Sequence, residues 1–335
     1  MMQQSEIQDG NSSVNRSTLA IEARGLVKIF GDNRAVDGVD LSIPSGCIYA
    51  LLGPNGAGKT TIINMLNTLL EPDDGTAKVF GHDVAQEAQV VRQLISVTGQ
   101  SAAVDEKLSA SENLTIFALL LGLSRPEARK RTADLLQEFG LADAANRTLD
   151  KFSGGMRRRL DLACSLIVQA PLIFLDEPTT GLDPRTRIQM WESIRRLVSS
   201  GSTILLTTQY LDEADHLADR IAVIDHGRVV AEGTSRELKS AVGKATLHLQ
   251  LAYEKDTAEA VRITEAVLNV RASLPEPKFV TAPMADPDRV TDLLIALREA
   301  KIHLANVSME EPTLDEAFLA LTGDGKLAEK GATVP

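Results

Sequence analysis

Residues 53–61 read Gly-Pro-Asn-Gly-Ala-Gly-Lys-Thr-Thr, which fits G-x-x-x-x-G-K-[ST]. Such a stretch works as an anion site only where a buried strand leads into it and a helix leads out. It therefore imposes an α/β arrangement on its surroundings. Both neighbours can be read in the sequence. Cys47 to Leu52 is a short apolar run expected to form a buried strand. Ile62, Ile63, Leu66, Leu69 and Leu70 mark one face of an amphipathic helix. Gly53, Gly56 and Gly58 allow the backbone to curl until successive N–H groups point inward at phosphate oxygens. The helix opening near Gly58 adds the positive end of its dipole. On this reading Lys59 reaches the β- and γ-phosphates and the Thr60 hydroxyl sits on Mg²⁺. Asn55, Ala57 and Thr61 complete the stretch expected to line the nucleotide. The plain alternative is a glycine-rich turn that binds nothing, and it leaves the flanking strand and helix unexplained.

With 335 residues the chain can hold one large domain and a smaller one, and 44% hydrophobic residues supply a sizeable core. A net charge of −11 argues against nucleic acid as a partner, since such partners select basic surfaces. Cys47 and Cys164 lie far apart in apolar segments and read as small core residues rather than a disulfide or metal site. The five histidines have no metal-like spacing. The first eighteen residues lack the basic start and apolar stretch of a secretory signal, and read as a disordered tail. No apolar run reaches the roughly 18 residues of a bilayer span. The longest candidate, Leu114 to Leu123, reads as a packed helix.

Leu26 to Phe30 and Val39 to Ile43 are expected strands around a turn at Gly31-Asp32-Asn33. A short strand is expected at Ala77 to Phe80, and a helical stretch from about 105 to 165. Leu172 to Leu175 and Thr203 to Thr207 are near-continuous apolar runs, as central parallel strands are. Ile221 to Ile224 and Val229 to Ala231 flank a hairpin turn at Asp225-His226-Gly227-Arg228. Beyond 245 strands and helices alternate, punctuated by Pro275, Pro277, Pro283 and Pro287. The expected division is a tail at 1–19, a nucleotide-binding domain at 20–240, a small α/β domain at 245–322 and a flexible tail at 323–335.

Further motifs fall at consistent intervals. The run Leu172 to Leu175 ends in Asp176-Glu177, and a doubly buried strand delivers its last residues to the ligand crevice. Asp176 is then placed to hold Mg²⁺ through water, and Glu177 to orient or deprotonate an attacking water. Ser153-Gly154-Gly155 opens a helix and forms a second anion cradle from a hydroxyl and free N–H groups. Gln100 lies between the loop and the helical block, Gly181-Leu182-Asp183 follows the carboxylates, and Thr207-Thr208-Gln209 ends the next strand.

In this order the motifs resemble an ABC-type ATPase domain over roughly residues 20–235. The resemblance implies a P-loop α/β fold with a mixed sheet core, an antiparallel β subdomain and a helical subdomain, followed by the small C-terminal α/β domain. It implies a head-to-tail homodimer that sandwiches two ATP molecules. One subunit would offer Lys59 and Glu177, and the other Ser153, Gly154 and Gly155. Gln100 would touch Mg²⁺ and sense the membrane partner, and Asp183 would bridge the subunits. Phe30 matches the aromatic that stacks on adenine, although an ordinary packing role also suits it.

Val97-Thr98-Gly99-Gln100, Ser153 to Arg159, Thr207 to Leu211 and Pro312 to Phe318 are similar to the daunorubicin/doxorubicin-resistance ATP-binding subunits. That likeness implies export of hydrophobic drugs through a separate integral-membrane permease, with this chain on the cytoplasmic face of the plasma membrane. Two other readings are a soluble ABC ATPase working on nucleic acid or the ribosome, and a nucleotide-binding regulator that hydrolyses weakly. The single compact domain and the acidity disfavour the former; Gln209 is the support for the latter.

The chain departs from the wider pattern at two places. Gln209 stands where most ABC ATPases carry His, and an amide can hydrogen-bond but not carry charge. It is expected to position the γ-phosphate and the water held by Glu177. Met156 stands where Gln is common, which a cradle of hydroxyl and backbone groups tolerates. Arg157, Arg158 and Arg159 are expected to form a solvated helix face, or else to touch the membrane subunit or headgroups. Asp212, Glu213 and Asp215 are expected at a solvated helix start, and Trp191 in packing.

Overall fold

A computed structural model describes residues 19–98, 104–168, 170–243, 245–284, 286 and 288–322. In chain order the first elements are β1 (Leu19–Phe30), β2 (Asn33–Pro44), β3 (Ile48–Leu52), α1 (Lys59–Leu66), β4 (Asp74–Val79) and β5 (His82–Asp83). Then come α2 (Ala88–Leu94), β6 (Ile95–Thr98), α3 (Ala110–Leu120), α4 (Arg125–Glu138) and α5 (Gly154–Ser165). They are followed by β7 (Leu172–Asp176), α6 (Pro184–Ser199), β8 (Thr203–Thr208), α7 (Leu211–Leu217), β9 (Arg220–Asp225), β10 (Arg228–Gly233) and α8 (Ser235–Val242). The last are β11 (Ala245–Leu251), α9 (Thr257–Leu268), β12 (Ser273–Glu276), β13 (Phe279–Met284), α10 (Arg289–Glu299), β14 (Leu304–Glu310) and α11 (Leu314–Thr322). Contacts divide the chain into two units, residues up to 48 with 60–206, and residues 49–59 with those from 207 onward.

In the first unit an antiparallel sheet runs β2–β1–β4–β5. Its register pairs Ala23 with Leu41 and, after a bulge, Leu26 with Val39, so both strands keep their apolar residues on one face. This unit also carries parallel β6 and β7, with Val97 opposite Phe174. All five β7 residues are buried, as a strand covered on both faces requires. Ile204 at the start of β8 donates to the Cys47 carbonyl, and Thr203 to that of Pro171. The helical block is set by its caps. Ser109 with Glu112 and Ser124 with Glu127 form capping boxes on α3 and α4, and Pro126 sits in the first turn of α4.

In the second unit β3 lies parallel to β9, with Leu51 opposite Ala222. The β9–β10 hairpin turns on His226 and Gly227, both at positive φ, as a two-residue turn of matching twist demands. From β11 to β14 the chain follows a β-α-β-β-α-β course, with a sheet order β12–β13–β11–β14 in which neighbours are antiparallel. Leu247, Leu249, Val280 and Ala282 cluster with Ala260 and Ile263 of α9 and Leu293 and Leu297 of α10. In α11, Thr313 and Glu316 exchange capping hydrogen bonds, and Leu314 and Ala317 are buried. This helix packs on α8 and α7.

Three expectations need correction. Helix α1 ends at Leu66; Leu69 lies past its end, beyond Thr68 at φ +68°, and is 71% exposed rather than on the packed face. The end of the Leu114–Leu123 stretch is not packed: α3 stops at Leu120, which is 76% exposed. β12 was not expected at all, because Pro275 reads as a breaker. β12 is an edge strand, where a missing N–H costs no ladder bond. Among the described residues no helix is long and apolar enough to cross a membrane.

Candidate functional site

The loop after β3 is shaped by its glycines. Gly53 is buried, and a Cβ there would lie 2.2 Å from the Ile224 carbonyl oxygen, so no side chain fits. Gly56 and Gly58 stand at φ +82° and +104°, which side chains rarely adopt. The Gly53 N–H donates to the Thr208 carbonyl at the end of β8, one residue before Gln209. Lys59 is only 5% exposed, and its ammonium donates to the Gly53 and Pro54 carbonyls at 2.8 and 3.0 Å. Burial of a strongly hydrated cation costs free energy unless it is met by such acceptors. Its charge is thereby held within the loop.

At the start of α1 the Thr60 hydroxyl lies 3.2 Å from both carboxylate oxygens of Asp176. Asp176 closes the buried strand β7 and is 8% exposed. Hydroxyl and carboxylate are hard oxygen donors, the set that suits Mg²⁺. This pair therefore fits the metal by its chemistry. Glu177 follows at φ +48°, a region rare for a residue with a side chain, and stands immediately before Pro178. Such a conformation costs about 1–3 kcal/mol and persists only where the surroundings enforce it. Thr180 donates its hydroxyl to the Glu177 carboxylate at 3.1 Å and its N–H to the Glu177 carbonyl.

A cleft of about 520 Å³ opens over these groups, lined by Gly154, Arg158, Asp161, Asp176, Glu177 and Gly181 among others. Ser153 caps α5, its side chain accepting from the Met156 N–H, and Ser153 and Gly154 are exposed. A Cβ on Gly155 would meet the Thr186 methyl at 3.0 Å. Asp183 caps α6 by accepting from the Arg185 and Thr186 N–H groups and the Thr186 hydroxyl. The Thr186 hydroxyl and N–H hold its carboxyl below the usual range. Phe30 is half exposed at the end of β1, with the Lys28 ammonium 5.8 Å from its ring centre. Gln209 is half-buried after β8. Gln100 lies outside the described residues.

The arginine run is not the solvated face expected of it. Arg157 pairs with Glu106 and donates to the Leu149 carbonyl. Arg159 donates to the Phe139 carbonyl. Arg158 reaches the carbonyls of Asp176, Glu177 and Pro178. The helical spacing held the signal, since Arg158 lies four residues after Gly154 and so on the face of α5 that carries the cradle. Asp161, a further turn on, is buried and its Oδ1 finds no hydrogen-bond partner among the described residues. Burial pushes its carboxyl up, against the opposing charges of Arg158 and Arg157. Glu213, expected in solvent, is fully buried, and Asp215 binds Lys239 and Ser235.

Sequence comparison matches residues 36–180 to the ABC transporter family. Over 319 residues the chain is 54% identical to the daunorubicin/doxorubicin resistance ATP-binding protein of Streptomyces peucetius, covering 94% of this chain and 97% of that one. This chain belongs to the ABC transporter family. The cassette is also 45% identical, over 91% of its length and 94% of the relative's, to the doxorubicin resistance ATP-binding protein of Mycobacterium tuberculosis. It is 34% identical over 90% of its length to the linearmycin resistance ATP-binding protein of Bacillus subtilis, covering 98% of that protein. Among solved structures it is similar to a nucleotide-free ATP-binding cassette of an ABC transporter, with a TM-score of 0.60 and 25% identity over 66% of this chain and 94% of that one. A dimeric cassette bound to ADP and phosphate gives a TM-score of 0.58 at 25% identity, over 64% of this chain and 98% of that one. The cassette is thus a nucleotide-binding ATPase of the ABC type, and its α/β architecture is that of its family.

Proposed function

We propose that this cassette hydrolyses ATP to drive export of hydrophobic drugs or antibiotics through a separate membrane subunit. The observation that carries the hydrolytic part is the Thr60 hydroxyl set 3.2 Å from the Asp176 carboxylate, with Glu177 next in the chain. The exported class rests on the full-length likeness to drug-resistance ATP-binding proteins. In this reading Lys59 and the loop N–H groups that are not already bonded within the fold hold the phosphates, with Gly53, Asn55, Gly56, Ala57 and Gly58 shaping the loop and Thr60 and Thr61 opening the helix. Phe30 stacks on the adenine. Thr60, Asp176 and Gln100 hold Mg²⁺, which neutralises charge on the phosphates when bound. Glu177 takes a proton from water as the water oxygen attacks the γ-phosphorus in line. The bond to the bridging oxygen breaks and its electron pair stays with ADP. Gln209 orients the γ-phosphate and the attacking water.

Ser153, Gly154 and Gly155 serve the nucleotide of a second copy in a head-to-tail homodimer, and Asp183 contributes at that junction. We take residues 20–240 as the ATPase domain and 245–322 as an accessory domain that supports assembly. The working location is the cytoplasmic face of the membrane, and nucleic acid has no part in it.

The test pairs chemistry with partnership. ATP turnover is measured for the parent and for Glu177→Gln, and proteins recovered with the tagged chain from gently solubilised host membranes are identified. Turnover falling by about 10²–10⁴ on loss of the base, together with a multi-span membrane protein, is the expected result. Unchanged turnover, or recovery of ribosomes instead, contradicts the reading.

A further inference from the structure

Arg158 has no assigned role in hydrolysis, yet its guanidinium is tied to the backbone that carries Glu177. Its Nη2 donates to the Asp176 carbonyl at 2.9 Å and to the Glu177 carbonyl at 3.0 Å, and its Nε to the Pro178 carbonyl at 3.2 Å. Three consecutive carbonyls on one side of a turn all face one guanidinium. They face it at the point where Glu177 adopts φ +48° ahead of a proline. A residue before proline is pushed towards extended backbone, so the turn needs an external hold. A planar, permanently charged fork supplies it better than a point charge on a flexible stem. Thr180 fixes the Glu177 carboxylate from the other end. Backbone and side chain of the base are thus each held by a named donor.

We infer that Arg158 is a positioning residue for Glu177: by clamping the Asp176, Glu177 and Pro178 carbonyls it holds the turn that aims the base at the attacking water. The inference rests on the reading of Glu177 as the base. Arg158 also rides on α5, the helix that Ser153 caps. The clamp therefore ties the second anion cradle to the carboxylate through one rigid element. Asp161, lining the same cleft, is the acid whose charge Arg158 offsets.

The experiment compares full-length parent, Glu177→Gln, Arg158→Gln, Arg158→Lys and the double variant Arg158→Gln/Glu177→Gln. Steady-state turnover, affinity for a fluorescent ATP analogue and thermal melting are measured for each. Misplacing a reacting group by about 1 Å costs roughly 10² in rate. Arg158→Gln is accordingly expected to lower kcat by about that factor, with nucleotide affinity and KM unmoved. Arg158→Lys is expected to recover part of the loss. The double variant is expected to be no slower than Glu177→Gln alone, because a misaimed base that is already absent costs nothing more.

If Glu177→Gln is impaired and Arg158→Gln turns over like the parent, the positioning role is wrong while the base stands. If Arg158→Gln slows Glu177→Gln further, Arg158 acts on something other than the base, and the inference fails. If Glu177→Gln itself turns over at the parental rate, the base reading falls and this inference with it. Should Arg158→Gln melt early, Arg158→Lys decides: a lowered kcat at unchanged affinity supports the clamp, and a parental kcat overturns it.

Discussion

The Gly53–Lys59 loop and the Ser153–Gly155 turn are both glycine-rich openings of a helix, but Gly53 and Lys59 are buried at the two ends of the first, while Ser153 and Gly154 of the second are exposed. In the loop, Gly53 touches the Ile224 carbonyl, Lys59 is almost wholly buried, and its ammonium is bound by carbonyls of the loop itself. In the turn, Ser153 and Gly154 are exposed, and nothing lies within 4 Å of where a Cβ on Gly154 would stand. The loop is thus assembled by its own fold. The turn satisfies its own helix and leaves an open face, which suits a site completed by a second copy.

The same substitution should act differently at the two places, which gives the largest expected effect. Gly53→Ala forces a methyl against backbone that cannot yield, so melting temperature and ATP affinity should both fall, by at least the roughly 1–3 kcal/mol of an overpacked core. Gly154→Ala should leave melting and ATP affinity of the isolated chain unchanged and still slow turnover. Equal effects in both assays would erase the distinction. Ser153→Ala comes next. Loss of the cap to the Met156 N–H should cost about 1 kcal/mol in chemical denaturation. A change near zero would show that the cap is not holding α5.

Gln209 sharpens the account of the first site, since the Gly53 loop is hydrogen-bonded to the residue just before it. Gln209→Ala should turn over more slowly than the parent and Gln209→His faster, in steady-state hydrolysis. Parental rates for Gln209→Ala would remove it from the machinery. The smallest effect concerns the two thiols, Cys47 just before β3 and Cys164 near the end of α5. Burial, with Asp161 nearby, pushes Cys164 on α5 up to about 12. The thiolate is the reactive form, so a thiol reagent at pH 8 should leave Cys164 untouched and label the less buried Cys47. Rapid labelling of Cys164 would mean that α5 opens in solution.

Much of this was legible in the sequence because it follows from local rules. A glycine pattern between an apolar run and a helix, a strand ending in two acids, and Ser before two glycines each have one structural outcome. The loop after β3, the acidic end of β7 and the capped start of α5 each follow from them. What the sequence concealed depends on which surface a residue meets. Arg157, Arg158 and Arg159 look like a charged face, and only the folded chain brings carbonyls from Phe139, Leu149 and Asp176–Pro178 to them. Glu213 follows Asp212 in what looks like an acidic helix start, yet the turn of α7 carries it inward. Pro275 hides β12, because an edge position cannot be read from a single strand.

The most direct test of the central claim, that the outward-facing cradle is completed by a second copy, is the mass of Glu177→Gln in solution with and without ATP and Mg²⁺. The account predicts a monomer without nucleotide and twice that mass with it, reversed when Ser153→Ala and Gly154→Ala are added. A chain that stays monomeric at high concentration with saturating ATP, while still binding nucleotide, would contradict it.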